Sequence, residues 1–366
     1  MFDPADPVSE AFRTAVADAI TEFLAGQREV LAGIGAGAAQ LADLADSFTA
    51  GGKQLRPAFC AWGWVAAAGV PDDPAPLLRA AASLDLLHVS ALVHDDVMDA
   101  SDTRRGQPAA HRQFAAVHAG RGLRGDSDAF GRGGAILLGD LLLVWSQEMF
   151  RRCGLDVAAV EAARPVMEAV LTEVTTGQFL DILAQSRPAG DARTAPREVL
   201  HQVDQVLEFK TARYTVVRPL QLGAALAGGG PELLAALHSY GSAVGRAFQL
   251  RDDVLGVFGD EQVTGKPAGG DLREGKLTAL LAHAIRLAPE AAARELADLA
   301  GAPELTDAAV ARAQGIIAES GALAVVEQAI SEATYAAIAG LADAPVTGPA
   351  REALANLART AAQRES

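Results

Sequence analysis

Residues 92–105 read LVHDDVMDASDTRR and overlap the end of an apolar-rich run, LDLLHVSALV, at residues 84–93. Three carboxylates, Asp95, Asp96 and Asp99, stand at i, i+1 and i+4. On a helix, i and i+4 share a face, so Asp95 and Asp99 point the same way. Like charges at that spacing repel, and at the end of an apolar segment they are costly unless a cation lies between them. Hard oxygen ligands in this arrangement suit Mg²⁺, which takes one or two carboxylates together with substrate phosphates and keeps several waters. Arg104 and Arg105 follow at once and can fork onto phosphate oxygens. An EF-hand does not fit: counted from Asp95, the sixth loop position is Ala100 rather than the turn glycine, and no Glu closes a twelve-residue loop. Taken alone, the cluster also reads as a solvated acidic helix end. A second cluster weighs against that: residues 248–260, FQLRDDVLGVFGD, bring Asp252 and Asp253 far downstream, where only a fold can unite them with the first.

Composition narrows the class. The chain has 366 residues, is 50% hydrophobic and 21% charged, and carries ample material for a core. A formal net charge of −15 argues against nucleic acid and anionic membrane as primary partners. It also repels phosphorylated substrates, which must then be met by local Lys, Arg and metal. Cys60 and Cys153 have no neighbours at metal-ligand spacing, so a reducing cytoplasm fits best. The start, MFDPADPVSEAF, lacks the basic and apolar regions of a signal peptide. The longest apolar run, residues 57–70, is shorter than the roughly 18–20 residues of a membrane span. It reads as a buried core helix, and no integral membrane segment is expected.

Apolar residues recur at three-to-four spacing over residues 11–25, 77–94, 135–150, 157–183, 199–226, 232–258, 277–299, 308–342 and 351–362. No stretch alternates convincingly with period two. The expected fold class is all-α, a single-domain helical bundle over residues 1–366. Residues 135–144 and 277–283 are apolar nearly all round and are expected to be buried on more than one side. The glycine-rich residues 119–134 read as a mobile loop. No fixed-period repeat is present, which disfavours a solenoid.

Polar residues that a plain bundle does not need gather at segment ends. In GGKQLRP, Lys53 and Arg56 stand just before a helix that starts near Pro57, a setting suited to an anion. His88 lies two turns below Asp95 on the same face; His94 and His111 carry less weight. TTGQFLD puts Gln178 and Asp181 one turn apart, and EFKTARY buries Lys210 and Thr211 in an apolar helical run, where a Lys needs an anion. Gln249 precedes Asp252 by three. Lys266 sits in a Gly- and Pro-bearing loop, with Asp271 and Lys276 following in GGDLREGKLT.

Six motifs in this order, GGKQLRP, HVSALVHDDVMDASDTRRG, GQFLD, FKT, FQLRDDVLGVFGD and GKPAGGDLREGKLT, resemble those of the trans-isoprenyl diphosphate synthases, the polyprenyl synthetases, over about residues 51–278. The resemblance implies an all-α bundle around a deep central cavity, usually a homodimer. It implies Mg²⁺ held by Asp95, Asp99 and Asp252, with Asp96, Asp253, Asp181 and Gln178 in support. Arg104, Lys210 and Lys266 would meet an allylic diphosphate, and Lys53, Arg56, His88 and Arg105 the diphosphate of isopentenyl diphosphate; Lys276 belongs to the same substrate-binding set. Lys210, Thr211 and Gln249 would face the carbocation. The implied reaction is head-to-tail condensation to an all-trans prenyl diphosphate.

Two departures stand out. The second cluster carries Gly256 where the family usually has its third Asp, with Asp260 too far along to replace it, and Gln54 stands where an Arg is frequent. In this family the growing chain runs along the helix below the first cluster. Ser90 and Ala91, five and four residues before Asp95, are small, and Leu86 and Leu87 line the next turn. A helical turn rises about 5.4 Å, close to one isoprene unit. A C20 product, geranylgeranyl diphosphate, is therefore expected, with C25 or longer, or C15, as alternatives. A class I terpene cyclase would not need Lys53, Arg56, His88 and Arg105, and a non-catalytic partner subunit typically loses an aspartate motif.

Overall fold

The computed structural model describes residues 1–259, 269–303 and 305–363. The chain forms two compact units, Met1–Ala163 with Leu222–Gly229, and Arg164–Gln221 with Gly230–Ser366.

In the first unit, α1 (Glu10–Ile34), α2 (Ala39–Thr49), α3 (Leu55–Ala68), α4 (Ala75–Met98), α5 (Ala110–Gly120) and α6 (Ser127–Arg151) are joined by one short hairpin, β1 (Thr103–Arg104) and β2 (Gln107–Pro108). That hairpin is the sheet present among the described residues; the rest is helix and connection. Ser9 caps α1 by accepting from the Phe12 N–H, and Phe12, Val16, Ile20 and Leu24 recur every fourth residue to make its buried stripe. α4 is the centre of this unit, packed against α1, α3 and α6. Leu77, Ala81, Leu84, Leu86, Leu87, Val89 and Val93 are buried on several sides of it, as its all-round apolar character requires. Trp62 of α3 is wholly buried, and its indole N–H donates to the Pro7 carbonyl at 3.0 Å.

Three expectations change here. Residues 127–134 are the first turns of α6, with Asp126 as N-cap, rather than part of a mobile loop. Their glycines serve close packing: a β-carbon on Gly131 would stand 2.2 Å from the His111 carbonyl, and one on Gly134 would stand 2.7 Å from the Phe114 ring. Secondly, α6 is not buried all round. Leu138, Leu142, Trp145 and Met149 pack inward, while Ile136, Leu137 and Val144 lie exposed on the opposite side. Thirdly, α4 and α6 are both long and apolar enough, by length and composition, to cross a membrane, which an unbroken-run criterion overlooks. Over that stretch α4 is 72% covered by the protein itself and α6 39%.

The second unit draws on α7 (Val157–Gln185) from Arg164 onward, α8 (Asp191–Thr194), α9 (Pro196–Val206), a π-helical segment (Leu207–Val217), α10 (Arg218–Leu226) as far as Gln221, α11 (Pro231–Phe258), α12 (Gly270–Glu274), α13 (Ala279–Leu287), α14 (Glu290–Leu299), α15 (Asp307–Glu319), α16 (Ala322–Gly340) and α17 (Gly348–Ala362). Its core gathers Leu250, Leu280, Leu281, Leu296, Ile316, Ile317, Val326 and Ile330 around α11 and α13. The buried Tyr240 hydroxyl donates to the Leu354 carbonyl at 2.7 Å and ties α11 to α17. The run over residues 277–299 breaks before Pro289, and that over 308–342 breaks at Gly321, whose φ of 81° suits glycine.

Candidate functional site

The first acidic cluster ends α4. The Asp99 N–H donates to the Asp95 carbonyl at 2.8 Å, so the helical repeat holds to the last residue and the two carboxylates share a face. Asp96 does not join them. It is 1% exposed and takes Arg104, whose Nε donates to its two oxygens at 3.0 and 3.3 Å, with Nη2 also on Oδ1. Arg104, expected at the allylic diphosphate, thus forks onto the middle carboxylate of the motif it follows.

Arg105 and Gly106 are the two central residues of the hairpin turn. Both have positive φ, 52° and 73°, as a type I′ turn demands. A non-glycine residue there carries strain of about 1–2 kcal/mol. The turn folds Arg105 back onto the loop of Gly51, Gly52 and Lys53. Its Nη1 donates to the Ala50 carbonyl at 3.3 Å, and a β-carbon on Gly52 would stand 3.1 Å from Nη2. Gln54, where the family often has Arg, enters α3 in a left-handed conformation, and its buried Oε1 has no hydrogen-bond partner. A positive φ and an unsatisfied polar atom thus fall at the same residue, Gln54. Lys53 is exposed beside it.

Electrostatics tie this loop to α4. Burial pushes the Asp85 carboxyl up to about 6, and the nearby Arg56 and Arg105 draw it partly back. His88, one turn further along α4, is held well below the usual imidazole value by burial and by Arg56, Arg105 and Arg104. His88 is therefore neutral at pH 7. The structure thus gathers Arg56, Arg105 and His88 around a buried carboxylate that sequence reasoning passed over. The signal was present: an Asp inside the apolar run LDLLHV, one turn before His88. Of the residues expected to set product length, Leu87 is buried and Ala91 half-buried. Ser90 turns toward α6, where its hydroxyl donates to the Gly139 carbonyl at 2.7 Å.

The second unit positions the other cluster. Asp181 of α7 accepts from Lys210 Nζ at 2.6 Å and from Gln185 at 3.1 Å, which answers the question of what partners a Lys in an apolar run. Gln178, one turn before Asp181, is half-buried. Gly177 of GQFLD makes that approach possible: a β-carbon there would meet the Lys210 backbone nitrogen at 2.4 Å. Lys210 and Thr211 lie on the π-helical segment, a form that appears at functional sites. The Thr211 hydroxyl donates to Gln249 Oε1 at 2.6 Å, and Gln249 Nε2 donates to Asp253 Oδ1 at 2.8 Å. Gln249 precedes Asp252 by three, and its amide reaches the carboxylate one residue beyond Asp252. The Ala279 N–H reaches Asp253 Oδ2 at 3.3 Å. Asp253 is 4% exposed, and its acid is raised to about 8, first by burial and then by Asp271 and Asp252, against the hydrogen bonds from Gln249 and Ala279. Asp252, on the adjacent helix position, is half-buried. Lys276 pairs with Glu274 at 2.5 Å. Lys266 and Asp260 lie outside the described residues. A further network went unread: Glu173 takes Arg213 at 2.8 Å and Arg218 Nε at 2.7 Å, and Arg213 also reaches Glu208 at 2.7 Å, bracing α7 against the π-helical segment.

Among the described residues, no three carboxylate, imidazole or thiol groups converge closely enough to hold an ion unaided. Magnesium asks for less, since one or two carboxylates suffice when a diphosphate supplies the remaining oxygens. Asp95 with Asp99, and Asp252 in the second unit, are donors of the right hardness for it.

The polyprenyl synthetase family model matches residues 38–317. A geranylgeranyl diphosphate synthase of Mycobacterium tuberculosis is 34% identical over 316 residues, 86% of this chain and 82% of that protein. A geranylfarnesyl diphosphate synthase of Aeropyrum pernix is 33% identical over 277 residues, 75% of this chain and 78% of that protein. Among solved structures, a geranylgeranyl pyrophosphate synthase from Corynebacterium glutamicum, complexed with isoprenyl diphosphate and magnesium, superposes with a TM-score of 0.90 at 41% identity, covering 96% of this chain and 98% of that one. The six motifs, the all-α architecture and these matches agree: the chain belongs to the polyprenyl synthetase family, the trans-isoprenyl diphosphate synthases, and is a prenyltransferase of the all-α isoprenoid synthase fold.

Proposed function

We propose that the enzyme condenses isopentenyl diphosphate with an allylic diphosphate to give geranylgeranyl diphosphate, that it depends on Mg²⁺, and that both units work as one catalytic domain. The observation that carries the proposal is the gathering of Arg56, Arg105 and His88 beside α4, with Lys53 on the adjoining loop. These are cations and a neutral imidazole in a chain of net charge −15, and they are additional to the Asp95 and Asp99 carboxylates. A second diphosphate site of this kind is what a condensing enzyme needs and a cyclase does not.

Bound magnesium would neutralise the charge that develops on the departing diphosphate. The residues that would hold it are Asp95, Asp99 and Asp252. Lys210, anchored on Asp181, would add a cation to the same diphosphate, and Arg104 and Lys266 are the further cations proposed for it. Arg104 would also fix the end of α4 through Asp96. Lys53, Arg56, Arg105 and His88 would hold the isopentenyl diphosphate so that its double bond faces the allylic C1. As the allylic C–O bond breaks, the new C–C bond forms, and a proton leaves the isopentenyl unit to restore a double bond. No side chain in the motifs is an obvious general base, so the departing diphosphate takes that proton. Thr211 and Gln249 would turn oxygen atoms toward the carbocation, which is short-lived in water.

The C20 product follows from Ala91, the small half-buried residue one turn below Asp95, and from the C20 synthases among the relatives. The uncovered stripe of Ile136, Leu137 and Val144 on α6 supports a homodimer that buries it. The two free, buried cysteines and the acidic composition support a cytoplasmic setting. The test is product analysis with isopentenyl diphosphate and primers of each length, with and without Mg²⁺. Farnesyl diphosphate as sole end product refutes the length assignment, and turnover without isopentenyl diphosphate refutes condensation. Asp95→Ala is expected to abolish turnover with helical content intact; wild-type rates in that variant would remove the metal assignment.

A further inference from the structure

Glu208 and Arg213 stand five residues apart on the π-helical segment, and Arg213 Nε donates to Glu208 Oε1 at 2.7 Å. On an α-helix, side chains three or four residues apart are neighbours. Five residues leave two side chains roughly 140° apart around the axis, on opposite sides. A π-helix bonds each residue to the fifth one along, so residues at that spacing stand one above the other. The backbone agrees with the side chains: the Arg218 N–H donates to the Arg213 carbonyl, again across five residues. The Glu208–Arg213 pair therefore belongs to the π register and has no counterpart in the α register.

The second unit holds this pair from outside and leaves room for it. Glu173 of α7 accepts Arg213 Nη1 at 2.8 Å and Arg218 Nε at 2.7 Å. One carboxylate thus grips both the arginine of the pair and the residue that closes the segment. The Glu173 side chain is 14% exposed, so these contacts are screened less than ion pairs on an open surface. The Arg213 guanidinium also lies over the Phe209 ring, 4.6 Å from its centre, and Ser242 of α11 donates to Glu208 Oε1 at 3.5 Å. A helix with more residues per turn is wider, and both neighbouring helices are thin where they meet it. A β-carbon on Gly177 of α7 would stand 2.4 Å from the Lys210 nitrogen; on Gly245 of α11, 2.4 Å from Ala212 Cα; on Gly241, 2.9 Å from Val217 Cα. Inside this frame, Lys210 reaches Asp181 and Thr211 reaches Gln249, each at 2.6 Å. Relaxing the segment to the α form would turn both residues by roughly 100° for each residue of slip and break both contacts.

We propose that Glu208, Arg213 and Glu173 are positioning residues whose ion pairs fix the π register of Leu207–Val217, and so aim Lys210 at Asp181 and Thr211 at Gln249. They act through Lys210 and Thr211 rather than on the substrate. The inference rests on the reading above in which Lys210 and Thr211 serve the allylic diphosphate and the carbocation.

The test is steady-state kinetics on the full-length enzyme, well below the unfolding midpoint of every variant. Glu208→Ala should lower kcat by about ten- to a hundredfold and leave KM for isopentenyl diphosphate within about twofold, because Lys53, Arg56, Arg105 and His88 are untouched. Glu208→Gln keeps an oxygen acceptor for Arg213 and should recover kcat to within about threefold of wild type. Glu208→Ala with Phe209→Glu moves the acid to four residues before Arg213, the α spacing; it should regain thermal stability without regaining kcat. Glu173→Gln leaves the 208–213 pair in place and loosens its outer hold, so kcat should fall in the same direction, which keeps the test open if Glu208→Ala does not fold. Wild-type kcat in whichever of these two folds overturns the proposal, and so does full recovery of kcat in the shifted pair. Lys210→Ala separates the two readings. If it keeps wild-type kcat, the assignment of Lys210 fails together with the positioning role built on it. If it is inactive while Glu208→Ala turns over normally, the positioning role alone fails.

Discussion

Replacing Asp85 with Asn should make the enzyme more stable and less active, in a way that depends on pH. Asp85 is buried in α4, and its acid is raised from 3.8 to about 6, with burial the largest cause and Arg56 and Arg105 opposing it. The folded state thus holds this proton more tightly than the unfolded chain. Stability from this group is fully present below pH 4 and is lost as pH rises through about 6. Holding the proton up to about pH 6 instead of 3.8 corresponds to about 3 kcal/mol. Asn has the same shape and no charge to bury, so its contribution is flat across that window. Urea denaturation of both proteins between pH 4 and 8 should give curves that nearly meet at the acid end and separate by up to about 3 kcal/mol, in favour of the variant, above pH 6. Taking the difference removes the titration of every other carboxylate. Activity should move the other way. Without the charge of Asp85, Arg56 and Arg105 lose the anion that offsets their mutual repulsion and keeps them together, and KM for isopentenyl diphosphate should rise more than kcat falls. A difference in stability that does not change with pH, or an Asn variant less stable than wild type at pH 8, would refute the reasoning. The residue would be a place where stability is given up for a working site.

Gly177→Ala should cost about 1–3 kcal/mol in thermal unfolding, because its β-carbon would meet backbone atoms of Phe209 and Lys210 that cannot swing aside; stretching the 2.6 Å Lys210–Asp181 contact should lower kcat as well. Tyr240→Phe should cost about 1–3 kcal/mol in denaturant titration without changing KM, since it leaves the Leu354 carbonyl without its donor inside the core. Ser90→Ala should cost about 1 kcal/mol and leave product length unchanged, because its hydroxyl serves the Gly139 carbonyl, while Ala91→Phe should shorten the product in chromatographic analysis.

The chemistry of this chain was legible where residue type alone carries it, and hidden where it depends on a residue having no side chain. Asp95 and Asp99 stood out only once Asp252 and Asp253, far downstream, weighed against a solvated acidic helix end. Lys210 did so because a buried ammonium demands an anion, and Asp181 is there at 2.6 Å. The glycines ran the other way. Gly131 and Gly134 read as flexibility, yet they are contact points where α5 meets α6, because composition cannot distinguish a glycine that must bend from one that must be thin. Asp85 vanished into its apolar neighbours for the complementary reason: one acid in a hydrophobic run looks like noise until Arg56 and Arg105 arrive from elsewhere in the chain. The π-helical turn under Lys210 and Thr211 has the same apolar periodicity as the α-helices beside it, so a pattern of spacing could not separate the two. Gly256 joins both cases. As a letter it is a lost aspartate and a damaged motif. In the fold a β-carbon there would stand 2.0 Å from Asp271 Oδ2, a packing constraint that a motif read along the chain cannot report.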